Sequence, residues 1–152
     1  LERLCPSRFI IDPNLKIKKN SKLILSAKKI KTYIFYSSKN KNKIEYLKKK
    51  NIFLIYLPFV KKNVVDCKQI LVTIGLLGYK NVLIEGGYST IEKFIDHNLI
   101  DFFYFFKNNE FINKKMSHSF KRIYMTLQKN FKYQKKLQQV YLKNNTLTVF
   151  KK

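Results

Sequence analysis

Short apolar segments recur along this chain and are separated by polar stretches. Most of these segments are rich in β-branched and aromatic residues, which favour extended backbone. The pattern predicts strands at residues 8–12, 32–37, 52–57 and 101–107. A shorter run at 82–84 is apolar throughout, as expected of a strand that is covered on both faces.

Between the predicted strands, apolar residues recur at the spacing of a helix face. This spacing predicts helices at 44–50, 66–77 and 89–99. Asp66 is placed as the N-cap of the second helix, and Gly78 is well placed to end it. Strands that alternate with helices are typical of an α/β fold with a mainly parallel central sheet and helices on both faces.

The remaining segments follow less regular patterns. Residues 133–144 and 146–150 predict a C-terminal antiparallel hairpin, with two asparagines at its turn. Residues 108–119 are polar and predict a loop, whereas 120–131 fit no single element. Residues 21–26 fit a short strand and a helical turn equally well.

One stretch combines a predicted strand end, a glycine turn and a helix start. Glu85 stands at the carboxyl end of the shortest predicted strand, and Gly86 and Gly87 follow at once. Two adjacent glycines let the backbone turn sharply and let another molecule approach it closely. Ser89, with Glu92 three residues later, fits a capping box, so the helix is expected to begin there.

This arrangement predicts a site for a phosphorylated, hydroxyl-rich ligand. Ligands of open α/β sheets bind beyond the carboxyl ends of the strands. A helix N-terminus offers free N–H groups and a partial positive charge to a phosphate, and Glu85 can accept a hydrogen bond from a sugar hydroxyl. The alternative is a tight strand-to-helix turn with a solvated glutamate and no ligand, because short glycine motifs often occur by chance.

The chain is strongly basic, with a formal charge of +23. An excess of basic over acidic residues suggests nucleic acid as a partner. However, the positive charge comes from 29 Lys and only 3 Arg, and the lysines are spread along the chain. Phosphate and base readers favour Arg for its bidentate geometry. We therefore favour lysines that fill solvated positions over nucleic-acid binding. The alternative is a non-catalytic basic module that binds RNA or another polyanion.

Length and composition narrow the class of protein further. The 152 residues, of which 45% are apolar, fit a single folded domain. No apolar run approaches the roughly 20 residues that span a bilayer. The cysteines and histidines lack metal-ligand spacing, so no metal site is predicted. The two cysteines lie far apart in the sequence and the start lacks a signal segment, so we expect a cytoplasmic protein with reduced thiols. The chain also lacks an initiating Met, so we expect it to be a piece of something longer.

Two stretches together resemble a known family. Residues 6–12, Pro-Ser-Arg-Phe-Ile-Ile-Asp, with Leu-Lys at 15–16, are similar to an early strand in the reductase domain of the bifunctional riboflavin-biosynthesis deaminase–reductase. Residues 83–87, Leu-Ile-Glu-Gly-Gly, with Leu-Ile-Asp at 99–101, are similar to that domain's strand, double-glycine turn, helix and next strand. The resemblance covers most of the chain to about residue 106.

The resemblance implies a dihydrofolate-reductase-like fold and an activity. NADPH would be the hydride donor, and the ribosyl group of 5-amino-6-(5-phosphoribosylamino)uracil would be reduced to a ribityl group. It implies that Glu85 contacts the sugar of the substrate. The NADPH-binding residues that it implies are Gly86, Gly87, Tyr88, Ser89, Thr90 and Asp12. No catalytic proton donor can be named.

The resemblance also sets expectations about domain organisation. The zinc-ligand motifs of the family's deaminase domain are absent, and the first strands of the reductase domain would precede Leu1. We therefore expect residues 1–152 to form a single reductase-like domain that lacks these parts and has weak or absent activity alone. Members of the family pair through their reductase domains, which implies a homodimer.

Overall fold

The chain forms two compact units, Leu1–Leu77 and Gly78–Lys152. The computed structural model describes residues 5–58, 66–108, 114–131, 133–137 and 145–152. Within these ranges no helix combines the length and the apolar character that crossing a membrane requires.

A parallel three-stranded sheet forms the centre of the first unit. Its strands, in the spatial order β1-β2-β3, are β1 (Arg8–Ile11), β2 (Thr32–Tyr36) and β3 (Ile52–Tyr56). Each strand begins at its predicted first residue and ends one residue before the predicted end, and β-branched and aromatic residues predominate in all three. Ile34 of the central strand lies in one hydrophobic cluster with Ile24 and Leu47.

Two of the three helices of the first unit begin at a residue whose side chain caps them. These helices are α1 (Lys22–Leu25), α2 (Lys41–Lys49) and α3 (Cys67–Leu76), so the open segment at 21–26 is a helical turn. Asn40 accepts a hydrogen bond from the Lys43 amide at 3.0 Å, which starts α2 three residues before the predicted position. Asp66 accepts from the Lys68 amide at 2.8 Å and is the predicted N-cap. Gly78, at φ +89°, follows α3 as predicted.

An antiparallel sheet forms part of the second unit. Its strands, in the spatial order β4-β6-β5, are β4 (Phe102–Asn108), β5 (Tyr133–Leu137) and β6 (Asn145–Lys151). The predicted C-terminal hairpin is confirmed where β5 pairs with β6. Its predicted turn begins at Asn144, which lies outside the described residues, and Asn145 is already the first residue of β6. β4 pairs with β6 in antiparallel register, and among the described residues it has no parallel neighbour.

The second unit also contains two helices, α4 (Tyr88–Asp96) and α5 (Lys114–Asn130). The predicted loop at 108–119 is wrong from residue 114 onward, where α5 begins. Buried residues recur every fourth position, at Ile123, Leu127 and Phe131, and they pack with Phe150 of β6. The helix therefore depends on this narrow apolar stripe in an otherwise polar segment.

The predicted α/β fold class is confirmed, with a parallel sheet, helices and a C-terminal antiparallel hairpin. The predicted strand at 82–84 is wrong, because residues 81–87 form neither strand nor helix. Leu83 is 80% exposed, so the covered-strand interpretation of this run does not hold. A short apolar run becomes a strand only where a neighbouring strand pairs with it.

Candidate functional site

The glycine turn leads directly into α4 in the second unit. Gly87 is the N-cap, with φ −73° and ψ 171°, and its carbonyl accepts from the amides of Thr90 and Ile91 at 3.0 and 3.2 Å. The helix begins at Tyr88, one residue before the predicted start. Ser89 therefore lies in the first turn and is exposed, and the predicted capping box with Glu92 does not form.

The amino end of α4 is electrostatically suited to an anion. The first amides of a helix have no acceptor within the helix, and here no side chain of the described residues caps them. The first turn of α4 also contains no acidic residue. Its N–H groups and the positive end of the helix dipole can therefore bind a phosphate group, with donors from Tyr88 and Ser89.

The two glycines of the turn have different surroundings. A Cβ built on Gly86 would lie 3.0 Å from the Cβ of Thr90 and 3.2 Å from its Cγ2, so the Thr90 side chain occupies the space beside this glycine. A Cβ built on Gly87 would meet no heavy atom within 4 Å. Gly86 thus serves close packing inside the turn, while Gly87 leaves space that a ligand can enter.

Glu85 immediately precedes this turn. It is exposed, and it follows an irregular segment where the sequence predicts a strand. Its carboxylate is therefore not fixed by a sheet edge. Glu85 lies two residues before the N-cap of α4, so in sequence it is close to the helix amides that have no acceptor.

The side chains of Tyr88 and Glu92 form a contact that the sequence analysis did not predict. The Tyr88 hydroxyl donates to Glu92 Oε1 at 2.8 Å, and Arg122 of α5 lies 3.4 Å from the same oxygen. The hydrogen bond to Glu92 is the main cause that raises the pKa of Tyr88 above its usual value. The spacing of four residues on one helix face is the signal that could have indicated the pair.

Asp12 lies in the first unit, directly after β1. Its carboxylate oxygens accept from the amides of Lys16 and Ile17 at 2.9 and 2.8 Å. The enclosed loop holds Leu15 at φ 52°, a left-handed conformation that is uncommon for a bulky side chain, with only 5% of the residue exposed. The observed contacts of the Asp12 carboxylate therefore stabilise its own loop.

The carboxyl ends of β1, β2 and β3 are joined by further hydrogen bonds. The Ser37 amide donates to the Pro13 carbonyl at 2.9 Å, and the Leu57 amide donates to the Tyr36 carbonyl at 2.8 Å. The Ser37 hydroxyl also donates to the Leu57 carbonyl. These hydrogen bonds connect the segments that follow the three strands, and they fix the position of Asp12 at this edge of the sheet.

The part of the chain that the structure describes contains no group of three or more His, Cys, Asp or Glu residues that could hold a metal ion. The chemistry of the candidate residues is that of hydrogen bonds and charge. Backbone donors stand at one helix start, and carboxylates stand at Glu85 and Asp12.

Comparison with protein families assigns most of the chain. Residues 3–108 match the model of the RibD C-terminal domain, and this match includes both stretches that carry the resemblance. The chain belongs to the RibD C-terminal domain family. The match runs across the boundary between the two units at Leu77 and ends with β4, close to the end of the resemblance near residue 106. This is the reductase family of riboflavin biosynthesis.

A solved structure supports the fold over nearly the whole length. The crystal structure of a pyrimidine reductase-like protein from Corynebacterium diphtheriae aligns with 96% of this chain at a TM-score of 0.66 and 12% sequence identity. Such low identity shows the fold alone. This chain spans 60% of the length of that protein. No curated protein matches the sequence.

Proposed function

We propose that this chain is an NADPH-dependent reductase domain of riboflavin biosynthesis. Its substrate would be 5-amino-6-(5-phosphoribosylamino)uracil, whose ribosyl group becomes a ribityl group. The observation that carries the proposal is the family match across residues 3–108, which includes the Glu85-Gly86-Gly87 turn. The fold of the chain resembles that of a pyrimidine reductase-like protein, which is consistent with this activity.

The start of α4 fits a phosphate group of NADPH. The amides of Tyr88 and Ser89 are not capped by a side chain, and the face of Gly87 is open to 4 Å. Gly86 and Thr90 would support this arrangement through the close packing of their atoms. When bound, NADPH supplies the hydride, and the protein supplies position and electrostatic environment.

The resemblance implies a role for one carboxylate in each unit. Glu85 is exposed and would accept hydrogen bonds from hydroxyls of the substrate sugar. The Asp12 carboxylate is engaged by two amides of its own loop. For Asp12, the cofactor role that the resemblance implies would therefore be to fix the loop at the end of β1.

We further propose that residues 1–152 form one reductase-like domain, that the protein is cytoplasmic and that it pairs into a homodimer. The family match supports the first part, since it spans both units. The homodimer depends on the resemblance alone, and the location depends on the two cysteines, which form no disulfide. Sedimentation at increasing protein concentration tests the pairing.

Substitution of Gly87 by Asp tests the cofactor site. Asp is a better N-cap than Gly and should stabilise the chain by a few tenths of a kcal/mol. Its side chain would also occupy the open amides and repel a phosphate, so the affinity for NADPH should fall by about tenfold or more, roughly 1.4 kcal/mol. Urea unfolding and isothermal titration with NADPH measure the two effects.

Gln128→Glu is the matched control, because it makes the same change in charge. Gln128 lies near the end of α5, where Asn130 and Asp96 line a cavity at the carboxyl end of α4. NADPH affinity should be unchanged in this variant. Equal losses in both variants, or no NADPH binding by the native chain, would contradict the proposed cofactor site.

Substitution of Glu85 by Gln separates substrate from cofactor. If Glu85 accepts from the sugar, the affinity for the phosphoribosylaminouracil should fall about tenfold, since a hydrogen bond to a charged group contributes about 1.5–3 kcal/mol. The affinity for NADPH should remain the same. If only the affinity for NADPH fell, Glu85 would contact the cofactor and not the substrate sugar, and its proposed role would be wrong.

A further inference from the structure

A basic pocket lies at the amino edge of the parallel sheet in the first unit. Its volume is about 560 Å³, and its lining includes Lys28, Lys29, Lys31, Lys48, Asn51 and Phe53. None of its lining residues is acidic. Lys31 immediately precedes β2, and Asn51 immediately precedes β3. The pocket is therefore at the opposite edge of this sheet from Asp12, and it shares no residue with the proposed cofactor site.

An exposed aromatic ring stands at this pocket. Phe53 is the second residue of β3, an edge strand of the three-stranded sheet, and it is 51% exposed. Its ring lies 5.1 Å from that of Tyr33, which stacks on Phe9 at 4.7 Å. The row of rings across the three strands holds the Phe53 ring in place while about half of the residue faces solvent.

One lysine of the pocket, Lys31, lies beside the aromatic rings. Lys31 Nζ lies 5.4 Å from the centre of the Tyr33 ring and 5.5 Å from that of the Phe53 ring. The Lys31 ammonium therefore adds a positive charge beside both rings. Lysine side chains and the aromatic ring of Phe53 therefore lie close together in this pocket.

The charge of the whole unit favours an anionic partner. Residues 1–77 contain 18 Lys and Arg against 4 Asp and Glu. Lysine is abundant throughout the chain, so charge alone predicts only diffuse attraction. The exposed ring, together with the absence of carboxylates from the lining, distinguishes this pocket from an ordinary solvated lysine surface.

The chemistry of the pocket selects the kind of anion. Lysines act as separate point charges, and no Arg lines the pocket to hold one phosphate by a bidentate contact. Several phosphates, each bound weakly, suit these cations better than one phosphate bound tightly. An aromatic face beside a row of cations is the arrangement by which proteins hold single strands, because any base can stack on it.

We propose that this basic pocket binds single-stranded RNA without sequence preference, with phosphates on the lysines and a base stacked on Phe53. This activity is independent of the proposed reductase function. The sequence leaves open that the chain is a basic module that binds RNA or another polyanion, and this proposal places such binding in one pocket of the first unit.

The test compares a labelled uridine oligonucleotide with inorganic polyphosphate by fluorescence anisotropy and competition. Phe53→Leu keeps apolar volume and removes the ring, so RNA affinity should fall about tenfold while polyphosphate affinity stays the same. Phe53→Tyr should retain RNA binding. A Phe53→Leu variant that binds RNA as the native chain does would overturn the stacking role and the proposal.

A pair of lysine variants on one helix tests the location. Lys48→Gln removes a cation of the pocket, whereas Lys41→Gln makes the same charge change at the other end of α2. Lys48→Gln should weaken both RNA and polyphosphate binding several-fold and reduce the salt slope by about 0.7. Equal effects of the two variants would assign the binding to overall charge and overturn the proposed site.

Discussion

Two loops of this chain handle their polar groups in opposite ways. In the loop after β1, the Asp12 carboxylate accepts from two backbone amides of its own loop. In the turn before α4, the N-cap is Gly87, and no described side chain takes up the first amides of the helix. The first loop satisfies its donors internally, and the second leaves its donors available.

The difference indicates which loop can bind an anion directly. A donor that is already paired with a carboxylate gains little from a phosphate, whereas an uncapped helix start gains both hydrogen bonds and a favourable dipole interaction. We therefore propose that the turn at Gly87 binds a phosphate directly and that Asp12 has a positioning role. Stability and binding should consequently respond to different substitutions in the two loops.

The largest expected effect is on stability at Asp12. Asp12→Ala removes the acceptor of two amides and the support of the left-handed Leu15, so it should lower the free energy of unfolding by about 2–3 kcal/mol. Asp12→Asn keeps one acceptor oxygen and should lose roughly half as much. Urea unfolding measures both, and a loss below about 0.5 kcal/mol for Asp12→Ala would contradict the bracing role.

A smaller effect is expected at Gly86. The Cβ of Gly86→Ala would lie 3.0 Å from the Cβ of Thr90, so the first turn of α4 must shift, at a cost of about 1–2 kcal/mol. Gly87→Ala is the matched control, because its Cβ enters open space. It should cost only about 0.5 kcal/mol, since Ala is a poorer N-cap than Gly. If the two variants unfold at the same urea concentration, the two glycines do not differ as described.

The smallest effect is the pH dependence at Tyr88, whose pKa is raised from the usual 10.0, chiefly by its hydrogen bond to Glu92. The folded chain holds this proton more tightly than the unfolded chain. The resulting stability is fully present below pH 10 and is lost as the pH rises through the raised pKa.

Tyr88→Phe should therefore be less stable than the native chain at neutral pH, and the difference should shrink above pH 10. Urea unfolding at several pH values measures this change. The difference in ultraviolet absorbance between the two proteins follows the titration of Tyr88 itself. A constant stability difference across this range would show that the hydrogen bond to Glu92 does not bind the proton more tightly.

The sequence predicts the first unit well because its elements carry strong local signals. β1, β2 and β3 are filled with β-branched and aromatic residues, and α3 has a side-chain cap at Asp66 and a glycine at Gly78. In the second unit these signals are weaker. α5 has a narrow apolar stripe in a lysine-rich segment, and the run at 82–84 is too short to separate a strand from an irregular segment.

The candidate site was predicted as a set of residues but not as an arrangement. The pair Gly86-Gly87 marks the turn before α4, yet nothing in the sequence indicates that Thr90 packs on the first glycine and leaves the second open. Glu92 fits a capping box by spacing, but it pairs with Tyr88 and Arg122. Competition among several partners for one side chain is decided by packing, which spacing alone does not describe.

Titration of the isotope-labelled protein with NADPH, followed through its backbone amide resonances, tests the central claim most directly. Binding of an NADPH phosphate at the start of α4 predicts that the amide resonances of Tyr88 and Ser89 shift most and that these shifts disappear in Gly87→Asp. Shifts at these amides that persist in Gly87→Asp, or a saturable response that leaves Tyr88 and Ser89 unchanged, would contradict it.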